Sequence, residues 1–126
     1  PSGSGQLTKM VNQICIAGLI QALAEGIHFS SRAGLNTADV MDVITKGAAQ
    51  SWQMENRWKT MLNDEYDFGF AVDLMRKDLD IVLKQAKKMD TELEITDLVN
   101  SFYKDIQNLG GGRWDTSSLL KRIQER

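Results

Sequence analysis

An all-α fold of about six helices is predicted by three features of this sequence. There is one proline in 126 residues, so few positions forbid helical hydrogen bonding. No stretch alternates apolar and polar residues with a period of two, whereas several carry apolar residues three and four apart. The glycines cluster where those periodic segments stop, as helix terminators do.

The first helix is predicted from about Gln6 to Ala33. Leu7, Met10, Val11, Ile14, Ile16, Leu19, Ile20, Leu23 and Ile27 surround most of its circumference, so a long, buried first helix is expected. At 1.5 Å per residue it spans roughly 40 Å, longer than so small a domain is wide. It therefore protrudes or needs a partner to cover it. The run Ala33 to Asn36 breaks it, with Gly34 as the left-handed cap. Asn36 or Thr37 then caps a short helix to about Lys46, which Gly47 ends.

A third helix is predicted over about Ser51 to Leu62, with Trp52, Met54, Trp58, Met61 and Leu62 as its packing set. NDEYDFGF is a loop. The fourth helix runs from about Phe70 to Met89, with Leu74, Met75, Leu79, Val82, Leu83 and Ala86 inward. The fifth covers about Ile95 to Asn108. Gly110 to Gly112 end it, a helix terminator being favoured over an anion-binding backbone loop. Asp115 or Thr116 caps the last helix, which carries Leu119, Leu120 and Ile123.

Composition narrows the function. Hydrophobic residues make up 42% and charged residues 25%, with a formal net charge of -2, as in an ordinary soluble domain. There is no basic run of five or more, which argues against a nucleic-acid partner. The single cysteine, Cys15 in ICIAGLI, excludes an internal disulfide and a cysteine-based zinc cluster; it reads as a small core residue. That run is too short to span a bilayer, so no membrane partner is expected. His28 is the only histidine and reads as structural, so no metal site is expected. The opening PSGSGQ shows no leader pattern and reads as if it came from inside a longer chain.

Polar chemistry concentrates at the head of the first helix. In GSGQLTKMVNQ (residues 3–13), Lys9, Asn12 and Gln13 share a face, because positions three and four apart are neighbours on a helix. An ammonium group buried without a partner costs several kcal/mol. Lys9 therefore either sits in a solvated first turn or faces a ligand. The ligand reading requires a lysine desolvated enough to exchange protons near neutral pH, with amides that orient a carboxylate or hydroxyl. The glycines do not make a phosphate-binding loop: no strand precedes them and no glycine directly precedes the lysine. Nor does a dinucleotide fingerprint occur anywhere in the chain.

Three segments, in order, carry a resemblance. G-x-G-x-x-x-K-x-x-N-[NQ] from Gly3 to Gln13, FAVDLMRKDL from Phe70 to Leu79 and DTSSL from Asp115 to Leu119 resemble the motifs of the β-hydroxyacid dehydrogenases. That family includes 3-hydroxyisobutyrate dehydrogenase and tartronate semialdehyde reductase. Each motif alone is weak, but the set covers nearly the whole chain. The resemblance implies a C-terminal helical domain of the kind also found in 6-phosphogluconate dehydrogenase. Residues 1–126 would be the substrate-binding and dimerisation domain, with the N-terminal Rossmann domain absent.

It further implies roles for individual residues. Lys9 falls on the catalytic general acid/base. The substrate-orienting amide sits one turn on, usually as asparagine; here that position is Gln13, with Asn12 just before it, so which amide touches substrate stays open. Lys77 falls on the lysine near the cofactor, NAD or NADP. Phe70 and Asp78 fall on positions that shape the pocket. Read without the resemblance, Lys77 joins Asp73, Asp80 and Lys84 in a solvated stripe, and Phe70 is a core residue. The implied substrate is a small hydroxyacid or semialdehyde, and the implied assembly is a homodimer or higher homo-oligomer through the first helix. The implied location is cytoplasmic, or the mitochondrial matrix in a eukaryote. These residues alone are expected to be inactive. The alternative is a non-catalytic helical oligomerisation module, against which the presence of Lys9 argues.

Overall fold

The computed structural model describes residues 3–126 and is all-helical. Its elements are α1 (Ser4–Arg32), α2 (Thr37–Ile44), α3 (Trp52–Leu62), α4 (Val72–Lys88), α5 (Glu94–Asn108), a single 3₁₀ turn (Thr116–Ser118) and α6 (Leu119–Gln124). No strand occurs among the described residues; one isolated bridge joins Ala71 and Asp115.

Helix α1 is the axis of the fold and packs against each of the other five. Its core stripe is Gln13, Ala17, Ile20, Gln21, Leu23, Ala24 and Ile27, all buried. These positions repeat three and four apart, so they line one side of the helix. The expectation of burial all round is met only over this stripe. Leu7 and Val11 are exposed, and the helix leaves the core N-terminal to Gln13. Cys15 is exposed as well, contrary to its reading as a core residue. It lies two residues from both Gln13 and Ala17, about 200° around the helix and so on its outer side. The run ICIAGLI is short, but the whole of α1 is by length and composition apolar enough to cross a membrane. Its apolar residues instead form the core of the helical bundle.

Four helices end in the same way. After α1, α3, α4 and α5 the chain enters the left-handed region at Gly34, Asp64, Asp90 and Gly110. In each case the next N–H returns to a carbonyl of the last turn: Leu35 to Ser30, Glu65 to Thr60, Thr91 to Ala86 and Gly111 to Ile106. This is the Schellman arrangement, which satisfies carbonyls that would otherwise be orphaned. The glycines at 34 and 110 announce it in sequence, and the aspartates at 64 and 90 do not. N-caps are the expected polar ones: Asn36 accepts from the Asp39 N–H and Ser51 from the Met54 N–H.

Helix α4 begins at Val72 rather than Phe70, for a tertiary reason. Its first free N–H groups, Val72 and Asp73, donate to the carbonyls of Trp114 and Gly112, each at 2.8 Å. The same segment returns Asp115 N–H to the Tyr66 carbonyl and Thr116 N–H to that of Phe70. The 66–71 and 112–116 segments therefore zip together and set where α4 starts. A Cβ at Gly112 would lie 2.4 Å from the Asp73 carboxylate, which would have to shift to admit it. Inward positions of α4 are Val72, Met75, Leu79, Val82 and Ala86. Leu74 is off that stripe and exposed, contrary to expectation, and Leu83 is half-buried. Trp52 and Leu62, expected in the core, are also exposed at the two ends of α3.

Candidate active site

The side chains singled out on α1 meet α4. Gln6, Lys9, Met10 and Gln13 recur three and four apart and form one wall of a groove of about 290 Å³; Asp78, Ile81 and Val82 form the other.

Asp78 ties the two helices. Its Oδ2 accepts from the Gln13 side-chain amide at 2.9 Å, and its Oδ1 lies 3.7 Å from the Lys9 ammonium. The Asn12 side-chain amide in turn donates to Gln13 Oε1 at 3.1 Å. Lys9 is 65% exposed at its side chain and Asp78 18%. Their ion pair is hydrated, so it orients the lysine more than it stabilises the fold. Gln13, only 6% exposed, carries the stronger constraint, since a buried amide left unpaired is costly.

The structure therefore brings Lys9, Asn12, Gln13 and Asp78 together and leaves two predicted residues outside the groove. Phe70 sits on the α3–α4 segment, partly exposed, with its N–H donating to Asp115 Oδ1. Lys77 is exposed on α4, next in sequence to Asp78. The solvated stripe read around Lys77 does not pair as expected. Asp73 accepts from Gln107 and Asp80 from Asn100 and Arg76, all groups of α4 or α5. Lys77 makes no ion pair among the described residues. His28 is half-buried on α1, and no cluster of three metal-ligating groups exists among the described residues.

Sequence reasoning does not reach two features. Gln6, Met10, Ile81 and Val82 line the groove without having been assigned to it, although each lies three or four residues from Lys9, Gln13 or Asp78 and so on the same face. Arg57 was passed over as part of α3. Its side chain, 16% exposed, pairs with the buried Asp115 at 3.2 Å, and its guanidinium lies over the rings of Trp52 and Phe68 at 5.0 and 4.8 Å. Gly69, with φ +72°, lets Asp115 approach: a Cβ there would meet its Oδ1 at 2.1 Å. Only the pairing of that glycine with the distant aspartate would have revealed this clasp.

Comparison with known proteins is consistent along the chain. Residues 3–123 match a family model described as NAD-binding of NADP-dependent 3-hydroxyisobutyrate dehydrogenase. An uncharacterised oxidoreductase of Shewanella frigidimarina is 60% identical over 99% of this chain and 43% of its own length. The L-threonate dehydrogenase of Haemophilus influenzae is 33% identical over 94% of this chain and 40% of its own length. Among solved structures, a 3-hydroxyisobutyrate dehydrogenase from Salmonella typhimurium superposes with a TM-score of 0.85. It is 32% identical and is matched over 94% of this chain and 42% of its own length. The chain thus spans about two-fifths of the relatives it matches.

Proposed function

Because this chain belongs to the NAD(P)-dependent 3-hydroxyisobutyrate dehydrogenase family, we propose that it forms the helical substrate-binding part of such an enzyme, with Lys9 as general acid/base. The observation that carries this reading is the convergence of Lys9, Gln13 and Asp78 in one groove between α1 and α4. The substrate is a small 3-hydroxy acid or the matching semialdehyde. Met10, Ile81 and Val82 take its carbon skeleton, and Lys9 and the neighbouring amide take its oxygens.

NAD or NADP, when bound, supplies the hydride acceptor for oxidation and the donor for reduction. The residues present fit that group. Lys77 stands exposed and without an ion pair among the described residues, one position from Asp78, and is the cation that would contact the anionic dinucleotide. In the oxidation direction the Lys9 amine removes the hydroxyl proton while hydride leaves the carbinol carbon. In the reduction direction its ammonium returns that proton to the forming alkoxide. Asp78 holds the lysine end in place, and Gln13 orients the substrate. The outer side of α1, where Leu7, Val11 and Phe29 are exposed, is the surface for self-association as a dimer or higher oligomer. That stripe also suits a non-catalytic oligomerisation module, the reading that loses if Lys9 proves essential.

The test is Lys9→Ala in a full-length protein carrying this chain, assayed with nicotinamide cofactor against a panel of small 3-hydroxy acids and semialdehydes. A loss in kcat of about a hundredfold or more, the scale of general acid–base catalysis, with cofactor affinity within about twofold, is expected. Activity indifferent to Lys9 would overturn the proposal.

A further inference from the structure

The polarity of the amides beside Lys9 is set from one end. An ionised carboxylate accepts hydrogen bonds and cannot donate them. Asp78 Oδ2 lies 2.9 Å from the side-chain nitrogen of Gln13, so Gln13 must turn its NH₂ toward Asp78. Its carbonyl then points the opposite way and needs a donor, since the residue is only 6% exposed and an unpaired buried carbonyl is penalised. Asn12 supplies that donor, its Nδ2 lying 3.1 Å from Gln13 Oε1. Asn12 must therefore turn its own carbonyl away. One carboxylate on α4 fixes the orientation of two successive amides on α1.

The consequence lies in what the groove offers a ligand. The Gln13 carbonyl is occupied by Asn12, and each Asp78 oxygen already faces a donor. Left over around Gln13 are the second N–H of its amide and the hydrogens of the Lys9 ammonium, all donors; the remaining polar side chain of the groove, Gln6, stands one turn N-terminal to Lys9. We propose that Asn12 is a positioning residue: by occupying the Gln13 carbonyl it keeps the part of the groove around Gln13 and Lys9 lined with donors. The site then selects a ligand through the acceptor oxygens of a small carboxylate or carbonyl. This deepens the proposed function and rests on it for the identity of the ligand, but not for the geometry.

The test is Asn12→Asp, with Asn12→Ala beside it. Asn12 is exposed, so neither change disturbs the core. An aspartate would set a second acceptor against the Gln13 carbonyl, leaving the amide flanked by two carboxylates that it cannot serve at once. The first readout is the Gln13 side-chain NH₂ resonance in the 126-residue chain, which involves no substrate. It is expected to shift in both variants, most in Asn12→Asp. The second is kinetics of the full-length protein on the best 3-hydroxy acid of the panel. Asn12→Asp is expected to raise KM about tenfold or more, the scale of one hydrogen bond to a charged ligand, with kcat within about twofold. An unmoved Gln13 resonance overturns the positioning role even where the protein is an active dehydrogenase. A moved resonance with KM unchanged overturns the selection of acceptor oxygens. If the wild-type protein turns over nothing in the panel, the dehydrogenase reading falls, and the resonance alone decides the role of Asn12.

Discussion

Replacing Asp115 with asparagine should destabilise this fold by about 3 kcal/mol, although it alters no volume. Asp115 is 1% exposed and accepts from four donors. Its Oδ2 receives the Arg57 guanidinium at 3.2 Å, the Ser117 N–H at 3.0 Å and the Ser117 hydroxyl; its Oδ1 receives the Phe70 N–H at 2.9 Å. Asparagine has one acceptor oxygen. Its least costly orientation gives that oxygen to the three donors and sets its NH₂ against the Phe70 N–H. One buried donor is then orphaned, at about 1–3 kcal/mol. Arg57 also trades a charged acceptor for a neutral one, which removes about another 1 kcal/mol. With an unfolding entropy of about 2.1 cal/mol/K per residue, a loss of about 3 kcal/mol lowers Tm by roughly 11 °C. Urea unfolding followed by circular dichroism at 222 nm measures the difference directly. Arg57→Met and the double variant close a cycle in which coupling of about 1–2 kcal/mol is expected. A loss below about 1 kcal/mol for Asp115→Asn, or additive single variants, would refute the clasp.

The two tyrosines offer a pH test. Burial raises the phenol pKa of both Tyr66 and Tyr103 above the ordinary 10.0, with the charges of Asp64 and Asp115 adding to it at Tyr66 and that of Asp115 at Tyr103. Native tyrosines then hold protons that the unfolded chain releases, so stability is intact below pH 10 and falls above it. The slope is up to about 1.4 kcal/mol per pH unit for each phenol. Absorbance at 295 nm and loss of helical signal should rise together; tyrosinate forming near pH 10 with helicity intact would contradict this. Asp90→Gly should stabilise the chain by about 0.5–1 kcal/mol, because Asp90 has φ +54° at a helix C-terminus, where glycine is unstrained and a negative charge is unfavourable. A lowered urea midpoint would count against it.

How much of this was legible depends on the range of the signal. The helices were readable because apolar spacing, Gly34, Gly110, Asn36 and Ser51 act within a turn or two. The start of α4 was not, because its first N–H groups are satisfied by Gly112 and Trp114, about forty residues away. Cys15 and Leu74 were misplaced for a different reason. Where a helix is apolar on several sides, composition cannot say which side meets the core; only the packing of α4, α5 and α6 against α1 decides. In the site, Lys9 and Gln13 were legible as one face, and Asp78 through the resemblance. Gln6, Met10 and Ile81 follow from the same periodicity once the helices are known to meet there. The Arg57–Asp115 clasp spans 58 residues and left only Gly69 as a local mark.

The placement of an ammonium group and two amides at the head of an apolar helix follows from where that helix leaves the core. From Ala17 to Ile27, α1 is the centre of the bundle, and a polar group there needs a full set of partners. From Ser4 to Asn12 it is exposed apart from the half-buried Met10, and polar side chains there cost little. Gln13 is the first buried residue of the helix, and Asn12 and Asp78 satisfy it at both ends. The site is therefore built at the one level of α1 that combines rigidity from the core with access from outside. Its donors remain hydrated in this chain, as the 65% exposure of the Lys9 side chain shows. The groove between α1 and α4 thus supplies position and hydrogen-bond polarity.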